Sequence, residues 1–134
     1  MDKAPQFGIS IPFVEHLGIQ LVELNRERAV VSLKHRPELR NSWGKAHGGV
    51  IMTMLDLVMS MAVRGHHGSA GAVLTVDISV GFLNPAEEDI LAEGRVLNSG
   101  RSTVFCESEA RGADGRILAK GIGTFRLLAD RKNP

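Results

Sequence analysis

One segment constrains this chain more than any other: Val50 to Val63, an apolar run with a single carboxylate, Asp56, near its middle. Met52, Met54, Leu55, Leu57, Met59 and Met61 are good helix formers, and neither Pro nor Gly interrupts the run until Gly65. The pattern predicts a helix over residues 49–64, apolar almost all round and therefore buried on most sides. The run is too short to span a bilayer, and it holds a charge. Such a helix needs something to wrap it, and 134 residues, 43% of them hydrophobic and 23% charged, supply one domain's worth. Residues 1–134 are expected to form that single domain. Folding at this length buries about two-thirds of the chain's surface, so a core needs neither metal nor disulfide. With five Phe, one Trp and no Tyr, it must be built from Val, Ile, Leu, Met and Ala.

The wrapping is legible as strands. Leu17 to Leu24 and Ala29 to His35 are β-rich and separated by the polar Asn25-Arg26-Glu27-Arg28, which suggests a hairpin. Arg36 to Lys45, with Pro37, Asn41 and Gly44, reads as a loop. After the helix, Leu74, Val76, Ile78, Val80 and Phe82 alternate with Thr75, Asp77 and Ser79, which predicts a strand with two unlike faces. Asn84-Pro85-Ala86-Glu87-Glu88 breaks it, and Ile90 to Leu97, Thr103 to Ala110 and Ile117 to Leu127 follow. Asn98-Ser99-Gly100 and Ala113-Asp114-Gly115 between them are hairpin-turn sequences. The expected class is α+β, a curved antiparallel sheet of hairpin-linked strands around one helix.

Charge and cysteine content narrow the function. A net charge of +1 marks no nucleic-acid or polyanion binder. The single cysteine, Cys106, cannot form an internal disulfide, and Met1-Asp2-Lys3-Ala4-Pro5 lacks the features of a signal peptide. Together these predict a cytoplasmic protein with no membrane partner.

Chemistry is to be sought where the pattern breaks. An ionised Asp56 among apolar neighbours is costly unless paired or hydrogen-bonded. Its helix neighbours three and four residues away are Met52, Thr53, Met59 and Ser60, so no local cation neutralises it. Gly49, Thr53, Asp56 and Ser60 instead define a narrow polar stripe. A distant Arg or a subunit contact would satisfy the aspartate equally well. The stripe starts at His47-Gly48-Gly49, where first-turn N–H groups are unpaired and the helix dipole is positive. Such an end can receive an anion or a developing oxyanion.

Asn41-x-x-Gly44-x-x-His47-Gly48-Gly49 followed by Asp56 resembles the hotdog-fold acyl-CoA thioesterases of the phenylacetate-pathway (PaaI-like) type. The likeness continues through Thr75-Val76-Asp77, Asn84-Pro85-Ala86, Gly100-Arg101-Ser102 and Gly121-Ile122-Gly123-Thr124-Phe125, covering about residues 12–127. The resemblance implies hydrolysis of an acyl-CoA thioester by a homodimer, often a dimer of dimers, with sites between subunits. It implies no cofactor, coenzyme A being part of the substrate. By position, Asp56 matches the catalytic carboxylate, as general base or nucleophile, and Gly48 the backbone N–H that polarises the thioester carbonyl. Asn41 and His47 match loop positions that orient the thioester, and Thr75 a hydroxyl that helps hold the attacking water. Gly49, Arg101 and Ser102 fall at substrate-binding positions, Arg101 near the CoA phosphates. The alternation places Thr75 opposite Leu74 and Val76, and so on a dimer seam or cleft rather than on the core.

Other features take plainer readings. Gly65-His66-His67-Gly68 is a polar end to the helix and not a metal site, since adjacent histidines cannot share a helix face. Cys106, alternating with Val104 and Ser108, is a small strand residue. Arg95, Arg111, Arg116 and Lys120 belong to solvated strand faces. The methionines from Met52 to Met61 are core, with some free to line an adaptable acyl pocket. Two other functions fit the same residues: a hydratase or dehydratase using His47 and Asp56 as an acid–base pair, and a non-catalytic acyl-CoA-binding protein. An aryl-acetyl and an aliphatic acyl group are both compatible with so few aromatics.

Overall fold

The computed structural model describes residues 8–69 and 71–128. Met1 to Pro5, the stretch without a leader signature, lies outside them.

A short helix α1 (Pro12–Leu17) opens the described chain, where strand was expected to begin at Leu17. Pro12 is well placed in its first turn, and Gly18, at φ 84°, closes it in the left-handed conformation. Val14 and Leu17 are its buried residues, so α1 plugs one end of the core. Strands β1 (Gln20–Leu24) and β2 (Ala29–Leu33) then form the expected hairpin. Pro37–Leu39 makes one 3-10 turn within the expected loop.

The central helix α2 (Gly48–His67) is longer than the sequence pattern predicts. Gly65 does not stop it, because glycine there answers a packing demand. A Cβ at Gly65 would stand 2.5 Å from the Asn25 carbonyl oxygen and 2.8 Å from Leu24 Cδ1. The helix ends one turn later at Gly68, in the left-handed conformation, with Arg64, His66 and His67 in its last turn. At twenty residues α2 is long and apolar enough to cross a membrane by length and composition, which corrects the expectation that it was too short. Here its apolar side packs on the sheet: Met54, Leu55, Val58, Met59 and Val63 are fully buried.

Strands β3 (Val73–Phe82), β4 (Ile90–Ser99), β5 (Val104–Gly112) and β6 (Ile117–Leu127) complete a six-stranded antiparallel sheet in the order β1-β2-β4-β5-β6-β3. The β4–β5 and β5–β6 hairpins are as expected. No hairpin joins β3 to β4: β3 pairs with β6 and β4 with β2. The Asn84–Glu88 break is a crossover instead. Pro85 has no N–H to give a ladder, and Leu83 and Asn84 donate to the Leu118 carbonyl at 2.8 and 3.1 Å. The sheet thus closes around α2, which is the hotdog arrangement. Helix and sheet backbones also approach closely at Gly94, where a Cβ would lie 2.7 Å from the Val58 carbonyl oxygen.

The period of β3 also departs from expectation. Thr75 pairs with Phe125 and Asp77 with Thr124, so Val76 is an extra residue, a bulge. The alternation changes phase there. Leu74 and Val76 are about half exposed, at 50% and 52%, whereas Ile78 and Val80 pack against the core.

Candidate functional site

The strip of α2 that the sheet leaves open carries Gly49, Thr53, Asp56 and Ser60. The two hydroxyls turn back to their own helix: Thr53 Oγ1 donates to the Gly49 carbonyl and Ser60 Oγ to that of Leu57, each at 2.8 Å. Asp56 alone reaches across. Its Oδ1 accepts from Thr75 Oγ1 at 2.7 Å, and among the described residues no cation pairs with it. The Val76 bulge makes this possible by turning Thr75 inward onto α2. Thr75 lies opposite the exposed Leu74 and Val76, half-buried against the open strip of the helix, which is the cleft placement of the two that alternation allowed. The pair is a carboxylate with one oxygen held by a neutral donor, able to take a proton or to attack.

A second group gathers at the N-terminal end of α2. His47 caps the helix, its Nδ1 accepting from the Gly49 N–H at 2.8 Å, so the neutral ring carries its proton on Nε2. That ring is engaged more than two turns from Asp56, and the two do not form an acid–base pair within one chain. The Gly48 N–H has no acceptor among the described residues and sits at the positive end of the helix dipole. A Cβ on Gly48 would meet only the Phe82 ring, at an ordinary 3.5 Å. Asn41 Oδ1 accepts from the Trp43 and Lys45 N–H groups at 2.9 and 3.1 Å, so its carbonyl shapes the loop before the helix. An Arg40–Ala46 bridge closes that loop. Between loop and β3 runs an open cleft of about 360 Å³ lined by Asn41, Trp43, Gly48, Ile51, Phe82 and Leu83.

Sequence reasoning singled out neither Trp43 nor Phe82 as cleft residues. A lone Trp inside a polar, glycine-containing loop was the available signal. Arg101 and Ser102 lie elsewhere, exposed in the turn between β4 and β5. The preceding Ser99 meets His67 Nε2 at 2.9 Å, which ties this turn to the C-terminal end of α2. Gly48 and Asp56 are themselves eight residues apart on one helix, about 12 Å by helical rise, too far to act on one carbonyl carbon. The expected site residues thus fall into three groups: Asp56 with Thr75, the Asn41–Gly49 segment, and the Arg101 turn.

The plainer readings have their own placements. Cys106 lies on the inward face of β5, and burial pushes its thiol up to about 12, which removes the thiolate a nucleophile needs. Met54, Met59 and Met61 are core, while Met52 is 40% exposed beside the open strip. His66 and His67 contact each other edge to face, and among the described residues no cluster of His, Cys, Asp or Glu could hold a metal.

Known proteins share this fold. The sequence profile of the Thioesterase superfamily matches residues 44–119. Human acyl-coenzyme A thioesterase 13 is 30% identical over 112 residues, covering 81% of this chain and 79% of the human one. The structure of the conserved protein PA5202 from Pseudomonas aeruginosa superposes with a TM-score of 0.86 at 31% identity, covering 94% of this chain and all of that one. The E. coli PaaI protein of the phenylacetic acid degradation operon has the same fold, with a TM-score of 0.80 at 19% identity over 87% of this chain and 84% of its own. By profile, by sequence and by fold, this chain belongs to the thioesterase superfamily.

Proposed function

We propose that this protein hydrolyses acyl-CoA thioesters to a free carboxylic acid and CoA, as a homodimer with two shared sites. The observation that carries the reading is the Asp56–Thr75 hydrogen bond, a carboxylate held ready on the open strip of a buried helix. Asp56 takes a proton from water as the water oxygen bonds to the thioester carbon, or attacks that carbon itself to form a mixed anhydride that water then hydrolyses, releasing the acid and restoring the carboxylate. The carbonyl oxygen gains charge and needs a donor fixed beforehand. Collapse breaks the C–S bond, and CoA leaves as a thiol once its sulfur is protonated. The Gly48 N–H has the character of that donor, but it is too far along the same helix. It converges with Asp56 when the helices of two subunits pair head to tail, each site taking the carboxylate from one and the N–H from the other. Strand β3 supports such pairing. It is a ten-residue edge strand with no second neighbour among the described residues, and its exposed Leu74, Val76 and Phe82 favour cover by another chain. In this reading Gly49, Arg101 and Ser102 bind the CoA portion, with Arg101 facing its phosphates.

An acyl-CoA panel read with a thiol reagent tests the activity directly: free CoA should appear with at least one acyl group, and its absence from all would sink the proposal. Asp56→Asn should lower turnover by about 10²-fold or more without changing the thermal melt. Near-normal turnover would remove Asp56 from the chemistry. Mixing Asp56→Asn subunits with Gly48→Val subunits should restore activity through the one intact site of each heterodimer. Confirmed exchange without recovery would refute the shared site.

A further inference from the structure

We propose that Met52 is a residue both sites share: it meets Met52 of a second copy on the two-fold axis, and the two side chains together limit the acyl group that either site accepts. This rests on the thioesterase and shared-site reading above. Gly48, Met52 and Asp56 follow one another at four-residue steps, so Met52 lies midway between the N–H and the carboxylate, both along the helix and around it. A two-fold axis that sets Asp56 beside the Gly48 of a second copy must pass this midpoint. Met52 is also the one exposed residue in the run 50–63, at 40%, where the others are buried or half-buried. An apolar side chain left in water at the point of symmetry gains burial when a second copy covers it.

Strand β3 tests the same axis. Thr75 stands at Asp56, and the Phe82 ring stands at Gly48, 3.5 Å from where a Cβ would be. The same rotation therefore brings Thr75 to the Phe82 of the second copy. Strands paired antiparallel about an axis through the sheet must oppose residues of one face. Seven residues apart, Thr75 and Phe82 would ordinarily point opposite ways. The Val76 bulge changes the count: their partners on β6, Phe125 and Ala119, are six positions apart, and both side chains face α2. Midway between them lies Ser79, opposite Ile122. The axis thus crosses β3 at Ser79 and α2 at Met52.

The direction of the substrate follows. The Arg101 turn, assigned above to the CoA phosphates, is tied to the C-terminal end of α2 through Ser99 and His67. CoA therefore leaves Asp56 toward His67, away from the axis, and the acyl group points toward it. Asp56 and Met52 are about 6 Å apart by helical rise, so a short acyl group ends before the axis and a long one must push the methionines aside. Methionine, unbranched and flexible, yields rather than blocks. Because one pair of side chains serves both sites, two long chains compete for the same space.

Met52→Cys and Ser79→Cys should each be joined into covalent dimers by a short bis-maleimide. The native Cys106 does not compete, being buried with its thiol pushed up to about 12, and the parent protein should give no such dimer. Met52→Ala should raise the ratio of kcat/KM for lauroyl-CoA to that for acetyl-CoA about tenfold, and Met52→Phe should lower it by a similar factor. In calorimetry on Asp56→Asn, acetyl-CoA should fill both sites of a dimer and lauroyl-CoA only one, with Met52→Ala in the same background restoring the second. Failure of Met52→Cys to crosslink would overturn the contact; sedimentation then tells whether the dimer itself is absent, which would take the shared site with it. An unchanged acyl ratio in Met52→Ala would overturn the limit. If the wild-type protein releases CoA from no thioester, the activity reading falls, and crosslinking with the lauroyl-CoA stoichiometry decides the place of Met52 on its own.

Discussion

On one side of α2, Met54, Leu55, Val58, Met59 and Val63 are fully buried against the sheet, and Gly94 lets the two backbones nearly touch. On the other, Gly49, Thr53, Asp56 and Ser60 stay partly open, and only Asp56 makes a bond that leaves the helix. The same twenty residues therefore serve two ends, since a helix periodicity of 3.6 keeps the two sets apart. Apolar volume on the closed side holds the sheet in its curve. On the open side Thr53 and Ser60 satisfy themselves locally, so the one polar group left to act is the carboxylate. The contrast separates what makes the fold from what does the chemistry, and substitutions can test each side alone.

Leu55→Ala should show the largest effect. Removing a fully buried side chain should cost about 2–5 kcal/mol of stability, read as a lower urea midpoint, while the remaining folded protein turns over normally. A stable but inactive Leu55→Ala would mean that the closed side reaches into the chemistry. On the open side, Thr75→Val keeps the shape and removes the donor to Asp56. Turnover should fall about tenfold, with Thr75→Ser recovering to within about threefold; a purely structural role for Thr75 would move the melt and leave the serine variant no better. Ser60→Ala should be the mildest. Its hydroxyl bonds only within the helix, so stability should stay within about 0.5 kcal/mol and turnover at the parent value.

Local patterns made much of this molecule legible in its sequence. The central helix, the β1–β2, β4–β5 and β5–β6 hairpins and the inward face holding Val104, Cys106 and Ser108 all follow from periods and turn residues within reach of one another along the chain. The pairing of β3 with β6 did not, because it joins strands more than thirty residues apart and no turn sequence announces it. Gly65 misleads for a related reason: its cause is Asn25 and Leu24, far away in sequence. Pro12 and Gly18 did mark the two ends of α1, but six residues are too few to show a period. For the site, the motif around Asn41, His47 and Gly48 located the N-terminal group and the lone carboxylate located Asp56. The direct bond from Asp56 to Thr75 stayed hidden, since alternation counted straight through Val76 puts that threonine on the face opposite Ile78 and Val80.

That single extra residue has a consequence for how such a site can change. Val76 sits on the outermost strand, bonded to one neighbour, β6, and among the described residues to none on its other side. Without the bulge, Val76 would pair with Phe125 in place of Thr75 and present an apolar side chain to Asp56. A slip of one residue there disturbs a single ladder and leaves β4, β5 and the helix contacts where they are. The chain can thus gain or lose the hydroxyl beside its carboxylate without any substitution at Asp56 or Thr75.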